Sequence, residues 1–394
     1  MSLSIGLSGL RATNESLSVI SHNIANVSTA GFKSARAEFA AVYGGGQAGG
    51  VAVSNVSQDF GRDGDVVNTG RALDLAISGN GFFMTSQNGQ TSYTRAGTFN
   101  RDADNFIISG TGARLQGYMA NADGQLQQGI VGDLRIEAGS LPAKASTKLD
   151  FTANLKADAV VPTITTFDSA NASSYNFSQS SEVYDSLGSR HVVTQYFVKT
   201  GDNKWDVHAQ VDGAAVGTAQ AMEFNTDGTL LTPAGNMTLN FAPAGANAMT
   251  ITMDPAKMTQ YASDFSVSRN QADGYTAGEL AGVRFESNGD MYAVFTNGQD
   301  QLKGKVVMAN FANPNGLRQG NDTTWQQSFA SGAPTIGDPG TGTLGSLTAG
   351  AYEGSNVELT GELVNLMTAQ RNYQANSKTI STADKMTQIL FNSF

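Results

Sequence analysis

The sequence predicts a mixed, mainly β fold, with terminal α-helices pairing as a coiled coil around one or two sandwich-like β-rich domains. Three observations predict it. Both ends of the chain repeat apolar residues at seven-residue spacing, the period of a helix that packs along a narrow seam. From about 70 to 345, Gly and turn residues recur at short spacing between alternating runs, the pattern of short strands and turns. Within that middle, "RFESNGDMYAVF" at 284–295 is a hairpin signal, because Asn-Gly supplies the positive φ angles of a type I′ turn.

Residues 2 to about 28 make the first helix. Its seam is Leu3, Leu7, Leu10, Leu17 and Ile24, at intervals of 4, 3, 7 and 7, narrower than a helix face in a globular core. Gly31 lies where a stop is expected, and Gly31 with Phe32 sets the exit toward the first β segment. Asn23 and Asn26 lie on one side of this helix. Either they hydrogen-bond to a fixed backbone where the helix meets the next segment, or they stand on a solvated polar face.

In the middle, "ALDLAISGNGFFM", "TSYTRAGTFNRD" and "GVRFESNGDMYAVFTNGQ" read as short strands, and "EVYDSLGSRHVVTQYFVKT" and "MEFNTDGTLL" as hairpins. The last helix occupies Asn356 to Phe394. Leu359, Leu366, Tyr373 and Ile380 recur every seven residues, and Leu363, Ala369, Ala383 and Leu390 widen the face. Asn356 ahead of Leu359, with Glu358 and Glu362 in the first turn, reads as a capped start. An isolated helix with so narrow a seam is marginal in water. The two helices therefore pack on each other, on neighbouring copies, or on both, and the seams imply self-association. A plain helical hairpin capping one domain is the simpler alternative.

The 394 residues suffice for two or three domains. Only 15% are charged, Gly numbers 45, and the net charge is −10. With no run of Lys and Arg, nucleic-acid binding is excluded, since phosphate contacts need clustered cations. Cysteine is absent, which removes disulfides and thiolate chemistry. "MSLSIGLSGLRATNES" has neither a basic n-region nor a continuous apolar h-region, so a cleavable signal peptide is not expected. No apolar run reaches the roughly 18 residues of a membrane span, so no membrane insertion is expected.

Candidate chemistry is sparse. His22, His191 and His208 stand alone, without partners at metal-ligand spacing. "GTGTLG" at 340–345 matches G-x-G-x-x-G but lacks the preceding strand and following helix that a dinucleotide site needs. Asp63/Asp65 and Asp102/Asp104 are turn carboxylates rather than a calcium loop, which requires Gly and Glu where "DADNFIISGTGA" has Ile and Ala. No G-x-S-x-G elbow or Ser–His–Asp set can be assigned. Catalytic, cofactor and metal residues are therefore expected to be none.

Two long stretches carry a resemblance. "GLSGLRATNESLSVISHNIANVSTAGFKSARAEF" resembles the N-terminal signature of the flagellar rod and hook protein family, and "SNVELTGELVNLMTAQRNYQANSKTISTADKMTQIL" its C-terminal signature. "ALDLAISGNGFF", "YTRAGTFNRD" and "VVMANFANPNGL" resemble its shared central domain. The resemblance covers about 1–145 and 282–394. The family's usual "NNIAN" is "HNIAN" here, with His22 in place of an Asn. The stretch near 145–283, an insertion between two halves of a common domain, resembles the hook branch. The distal rod branch is the alternative, and length argues against it.

The resemblance implies two discontinuous β-rich domains. The organisation is then 1–30 and 355–394 as an inner terminal-helix domain, 31–70 as a connecting segment, 71–145 and 284–354 as a central β domain, and 146–283 as an outer β domain. It further implies a helical homopolymer: a hollow, curved, flexible tube that transmits torque from rod to filament as a universal joint. Implied partners are other copies of the chain, the distal rod protein, the hook cap protein, the hook-filament junction protein, the hook-length ruler and the flagellar type III export apparatus. The implied location is the extracellular flagellum hook, reached by type III export. In this setting the seam residues make assembly contacts, and Asn23, Asn26, Gly31 and Phe32 form a joint. A different class, a surface β-domain adhesin, rests on Tyr175, Phe177, Tyr184, Tyr196, Phe197 and Trp205, which could stack on sugars; alternation around them favours core positions.

Overall fold

The computed structural model describes residues 2–44, 47–121, 124–136 and 139–392, with the side chains of 2–3, 44, 47–48 and 390–392 outside the described set. The chain divides into two compact units. The first comprises Met1–Ala138, Ala281–Val294 and Asp300–Phe394, the second Gly139–Leu280 and Phe295–Gln299.

The first unit holds both terminal helices, α1 (Ser2–Ala25) and α2 (Leu359–Asn392). Behind α1 comes a long antiparallel hairpin, β1 (Ala35–Gly44) and β2 (Gln47–Gln58), with register shifts after Glu38 and Val42. The main sheet is then assembled from both sides of the insertion. Strand Arg114–Ala120 lies between Phe82–Gln87, which precedes the insertion, and Asp300–Val306, which follows it. Phe82, Met84, Tyr93, Phe311 and Trp325 form one apolar cluster of this unit, and Phe60 packs edge-on against both Phe82 and Trp325.

The Asn-Gly hairpin forms between Leu280–Phe285 and Asp290–Phe295, but its turn is not type I′. Glu286 and Asp290 close a three-residue loop, with the Glu286 N–H donating to Asp290 O, and only Gly289 has positive φ, +89°. This is the turn-plus-left-handed-glycine arrangement of longer hairpins.

The second unit consists of two sheets. One orders Phe177–Tyr184, Arg190–Gly201, Lys204–Val211, Ala214–Phe224 and Leu230–Thr232 in sequence. The other is built around Lys148–Lys156, flanked by Met249–Met253, Thr259–Tyr261 and Ser266–Ala272. Side chains from both sheets share one core, including Phe151, Leu155, Phe197, Trp205, Met222 and Ile251. Trp205 is fully buried, and its Nε1–H donates to Gln260 Oε1 at 2.6 Å. Of the aromatics considered for sugar stacking, Phe197 and Trp205 are thus core, and Phe177 stacks on Phe265 at 4.6 Å. Tyr175 and Tyr196 are half-buried and pack with Phe167. At the neck of the unit, Leu141 and Gly278 exchange backbone hydrogen bonds of 2.7 and 3.0 Å, and Lys144 pairs with Tyr275.

Candidate functional site: the helix pair and its joint

Helices α1 and α2 run antiparallel. A Cβ on Gly6 would lie 2.9 Å from Ile380 Cγ1, and one on Gly9 would lie 2.7 Å from Asn376 Oδ1. Further along, the Asn23 amide donates to Glu362 Oε1 at 3.2 Å. Small residues on α1 thus let a larger-residue face of α2 come close. Ala12, Thr13, Val19, Ile20 and Ala369 are buried here. Between the helices and the β1–β2 hairpin lies a groove of about 800 Å³, lined by Val19, Ile20, Phe39, Val51, Asn365 and Asn372 among others.

The seam residues divide around this contact. Leu366 and Ile380 are half-buried, and Ile380 meets Gly6. Leu10, Leu17 and Ile24 are half-buried. Leu7, Leu359, Leu363 and Tyr373 are 43, 43, 44 and 39% exposed. The side chains of Leu3 and Leu390 lie outside the described residues. The contact within one chain is therefore made through glycine, alanine and asparagine at least as much as through leucine.

The joint follows directly. Asn23 is 1% exposed and grips the backbone of Ala35 from both sides: its Nδ2 donates to Ala35 O at 2.7 Å, and the Ala35 N–H donates to its Oδ1 at 2.9 Å. Of the two readings open for Asn23, backbone fixing is the one observed. Asn26 behaves differently. Its amide donates to His22 O at 2.9 Å and its Oδ1 accepts from Thr29 Oγ1, so it finishes the helix, which ends at Ala25. Gly31 is not the cap. It has φ +66°, and a Cβ there would stand 2.3 Å from the amide nitrogen of Ala96. Any side chain would be both strained and blocked. Phe32 is 4% exposed and meets His22 edge-on at 5.4 Å.

Around these four lies a set of residues of which the sequence singled out only Asp63, as a turn carboxylate, and Asn356, as a helix cap; Asp63 instead faces two cations. Lys33 is fully buried and donates to Glu353 Oε1 and to Arg62 O, each at 2.8 Å. Arg95, 2% exposed, donates to Glu353 Oε2 at 3.1 Å and to Gly79 O at 2.6 Å. Asp63 Oδ1 lies 3.7 Å from Lys33 and 3.6 Å from Arg95. Two buried cations thus share one buried carboxylate, Glu353, and lean on a second, Asp63, whose side chain is 42% exposed; pairing of this kind is the condition under which buried charge is tolerated. Asn356, expected to cap α2, instead accepts from the Ser34 N–H at 2.7 Å and donates to Asp59 O and Arg62 O. A carboxamide able to bond three chain segments at once takes the higher-value position. No local pattern signals this cluster, because its members come together from 33, 63, 95 and 353.

The second unit carries a separate titratable group. His191 Nδ1 lies 2.6 Å from Asp212 Oδ2, and its Nε2 lies 3.3 Å from Asp185 Oδ2. The hydrogen bond to Asp212, then that to Asp185, raises the imidazole pKa against the opposing effect of burial. Asp212 is held low by the Val192 N–H and by His191. Both ring nitrogens are engaged by carboxylates, so no nitrogen faces a nucleophile. Asp102 accepts from the Phe106 N–H at 2.7 Å, as a turn carboxylate does.

Comparison with known proteins identifies this assembly of parts. Four family descriptions match in order: flagella basal body rod protein over 3–33, flagellar hook protein FlgE/F/G D1 domain over 76–183, flagellar basal body protein FlaE D2 domain over 154–275, and flagellar basal body rod FlgEFG protein C-terminal over 348–393. The flagellar hook protein FlgE of Escherichia coli is 40% identical over 403 residues, covering 100% of both chains. The chain belongs to the flagellar hook protein family. Flagellar hook protein FlgE of Salmonella typhimurium is 39% identical over the same span, and that of Brucella suis is 31% identical over 98% of this chain and 97% of its own. The crystal structure of Helicobacter pylori flagellar hook protein FlgE2 shares the fold, with a TM-score of 0.54 at 14% identity over 71% of this chain and 98% of that one. The hook subunit described here is a structural component of the bacterial flagellum. Its polymer, in this family, is the universal joint between rod and filament.

Proposed function

We propose that the hook subunit polymerises through the outward leucine residues of its helix pair, and that the buried joint makes each helix pair move as one piece with the β body behind it. The exposure of Leu7, Leu359, Leu363 and Tyr373 in a single chain carries this reading. Large apolar side chains left in water along both helices gain from a neighbouring copy what the intrachain contact does not supply. In this reading residues 1–30 and 355–394 are the inner domain, 31–70 the connector, 71–145 with 284–354 the central domain and 146–283 the outer one.

The role is structural rather than enzymatic, and other copies are the chief partner. The distal rod protein, cap, hook-filament junction protein, length ruler and type III export apparatus are the further partners, with an extracellular position after export. The polar, sparsely charged composition of the outer surfaces suits neighbours that slide as a curved tube turns. Leu7→Asp or Leu363→Asp should abolish tube formation, seen by electron microscopy, while circular dichroism of the β units stays unchanged. Normal tubes from both variants would overturn the seam reading. Gly31→Val should impair assembly more than secretion, and equal loss of both would count against the joint.

A further inference from the structure

We propose that Phe329 is an intermolecular anchor, seated on a second copy of the chain in the polymer. It is the most exposed large apolar side chain among the described residues, at 106% of its reference area. Its backbone is nonetheless fixed. The Ala330 and Ser331 N–H groups donate to Ser328 Oγ at 3.0 and 3.2 Å. Ser328 N–H donates to Ser331 Oγ at 3.0 Å, and Ser331 Oγ donates to Ser328 O at 2.9 Å. Ser328 Oγ also donates to Gly316 O, and Asn313 Nδ2 donates to Ala330 O at 3.0 Å. Ser331 is 1% exposed, so the turn is anchored in its own unit while the ring projects into water.

A fixed backbone under a free aromatic ring is the arrangement of a binding anchor, because the ordering cost of the turn is met before the partner arrives. Aromatic side chains of this kind dominate interface energetics. Charge selects the occupant. Residues 323–337 contain no Asp, Glu, Lys or Arg, in a chain of net charge −10. Identical acidic subunits repel where their acidic surfaces meet, and a stretch without carboxylates, with the exposed Arg318 on the strand opposite Gln326, is where they approach with least repulsion. Ile336, 40% exposed, extends the apolar character of the same segment. The inference rests on self-association of the hook subunit and adds to it a contact distinct from the helix seams.

The test uses the full chain. Phe329→Ser should raise the concentration at which tubes form by roughly tenfold or more, the scale of one aromatic hot spot, whereas Phe329→Leu should stay close to the parent. Both variants should keep the parent's circular dichroism and unfolding profile. A photo-crosslinking amino acid at 329 should join chain to chain in tubes. An unchanged critical concentration for Phe329→Ser, or crosslinks in cells only to a different protein, overturns the anchor. Failure of the parent chain to polymerise at all would instead overturn the self-association reading beneath it.

Discussion

The joint of the first unit and the core of the second are held by different physics. In the joint, Glu353 binds Lys33 and Arg95 across 320 and 258 positions of sequence, and nearly every decisive contact is a charge-assisted or amide hydrogen bond. In the second unit, Phe151, Phe197, Trp205 and their neighbours close an apolar core between two sheets. Apolar burial is non-directional and supplies net stability. Buried ion pairs supply little net stability over an apolar replacement, yet they tolerate only one geometry. The contrast indicates that the joint is built for position and the second unit for stability. Contacts of the first kind fix the angle at which one element leaves another.

Substitutions in the joint have the largest expected effect. Gly31→Val forces a branched side chain into left-handed backbone against Ala96, and Glu353→Ala leaves two buried cations with only the part-exposed Asp63 beside them, a loss of about 3–5 kcal/mol. Unfolding monitored separately for each unit should show the first transition falling and the second unmoved. Trp205→Ala should do the reverse, with a loss of about 3–5 kcal/mol confined to the second unit; coupled loss in both transitions would show that the units are not independent. Asn23→Ala removes a two-way clamp on Ala35 and should cost about 1–3 kcal/mol, read as faster hydrogen exchange at Ala35 and in the first turns of the hairpin behind it.

The smallest effect concerns His191. Its pKa is raised, so the bridge to Asp212 and Asp185 is fully present below the ordinary histidine value and is lost as pH rises through the higher folded-state value. Asp212 is lowered, so its share is present above the ordinary carboxylate range and is lost in acid as pH falls through its folded value. Stability of the second unit should therefore decline modestly on both sides, and His191→Ala should flatten the alkaline arm. An alkaline arm unchanged in His191→Ala would show that another group carries it.

Periodicity reported what is local. The two helices, the hairpins at 182–200 and 222–231, and the apolar positions of Phe197 and Trp205 were all legible, because each is set by residues a few positions apart. The joint was legible only as a place. Asn23 and Gly31 marked it, but Lys33 reads as an ordinary surface lysine until Glu353 is brought beside it. Asn356 reads as a cap for the same reason: local spacing favours that use, and a distant backbone outbids it. The helix contact was hidden differently. A search for large apolar residues finds the leucines and passes over Gly6 and Gly9, although close approach of two helices depends on what is absent from a side chain.

The two backbone bridges at the ends of the second unit, Leu141 with Gly278 and Lys144 with Tyr275, bear on the order of events during folding. Lys33 and Glu353 must find each other over a very long stretch of chain, and distant pairings form slowly. If the insertion folds first, its two ends are already side by side, and the intervening polypeptide becomes a short detour rather than a long loop. Closure then involves a much smaller loss of chain entropy. The insertion would in this way act as a built-in shortcut, hastening the last step by which the two ends of the chain are locked together.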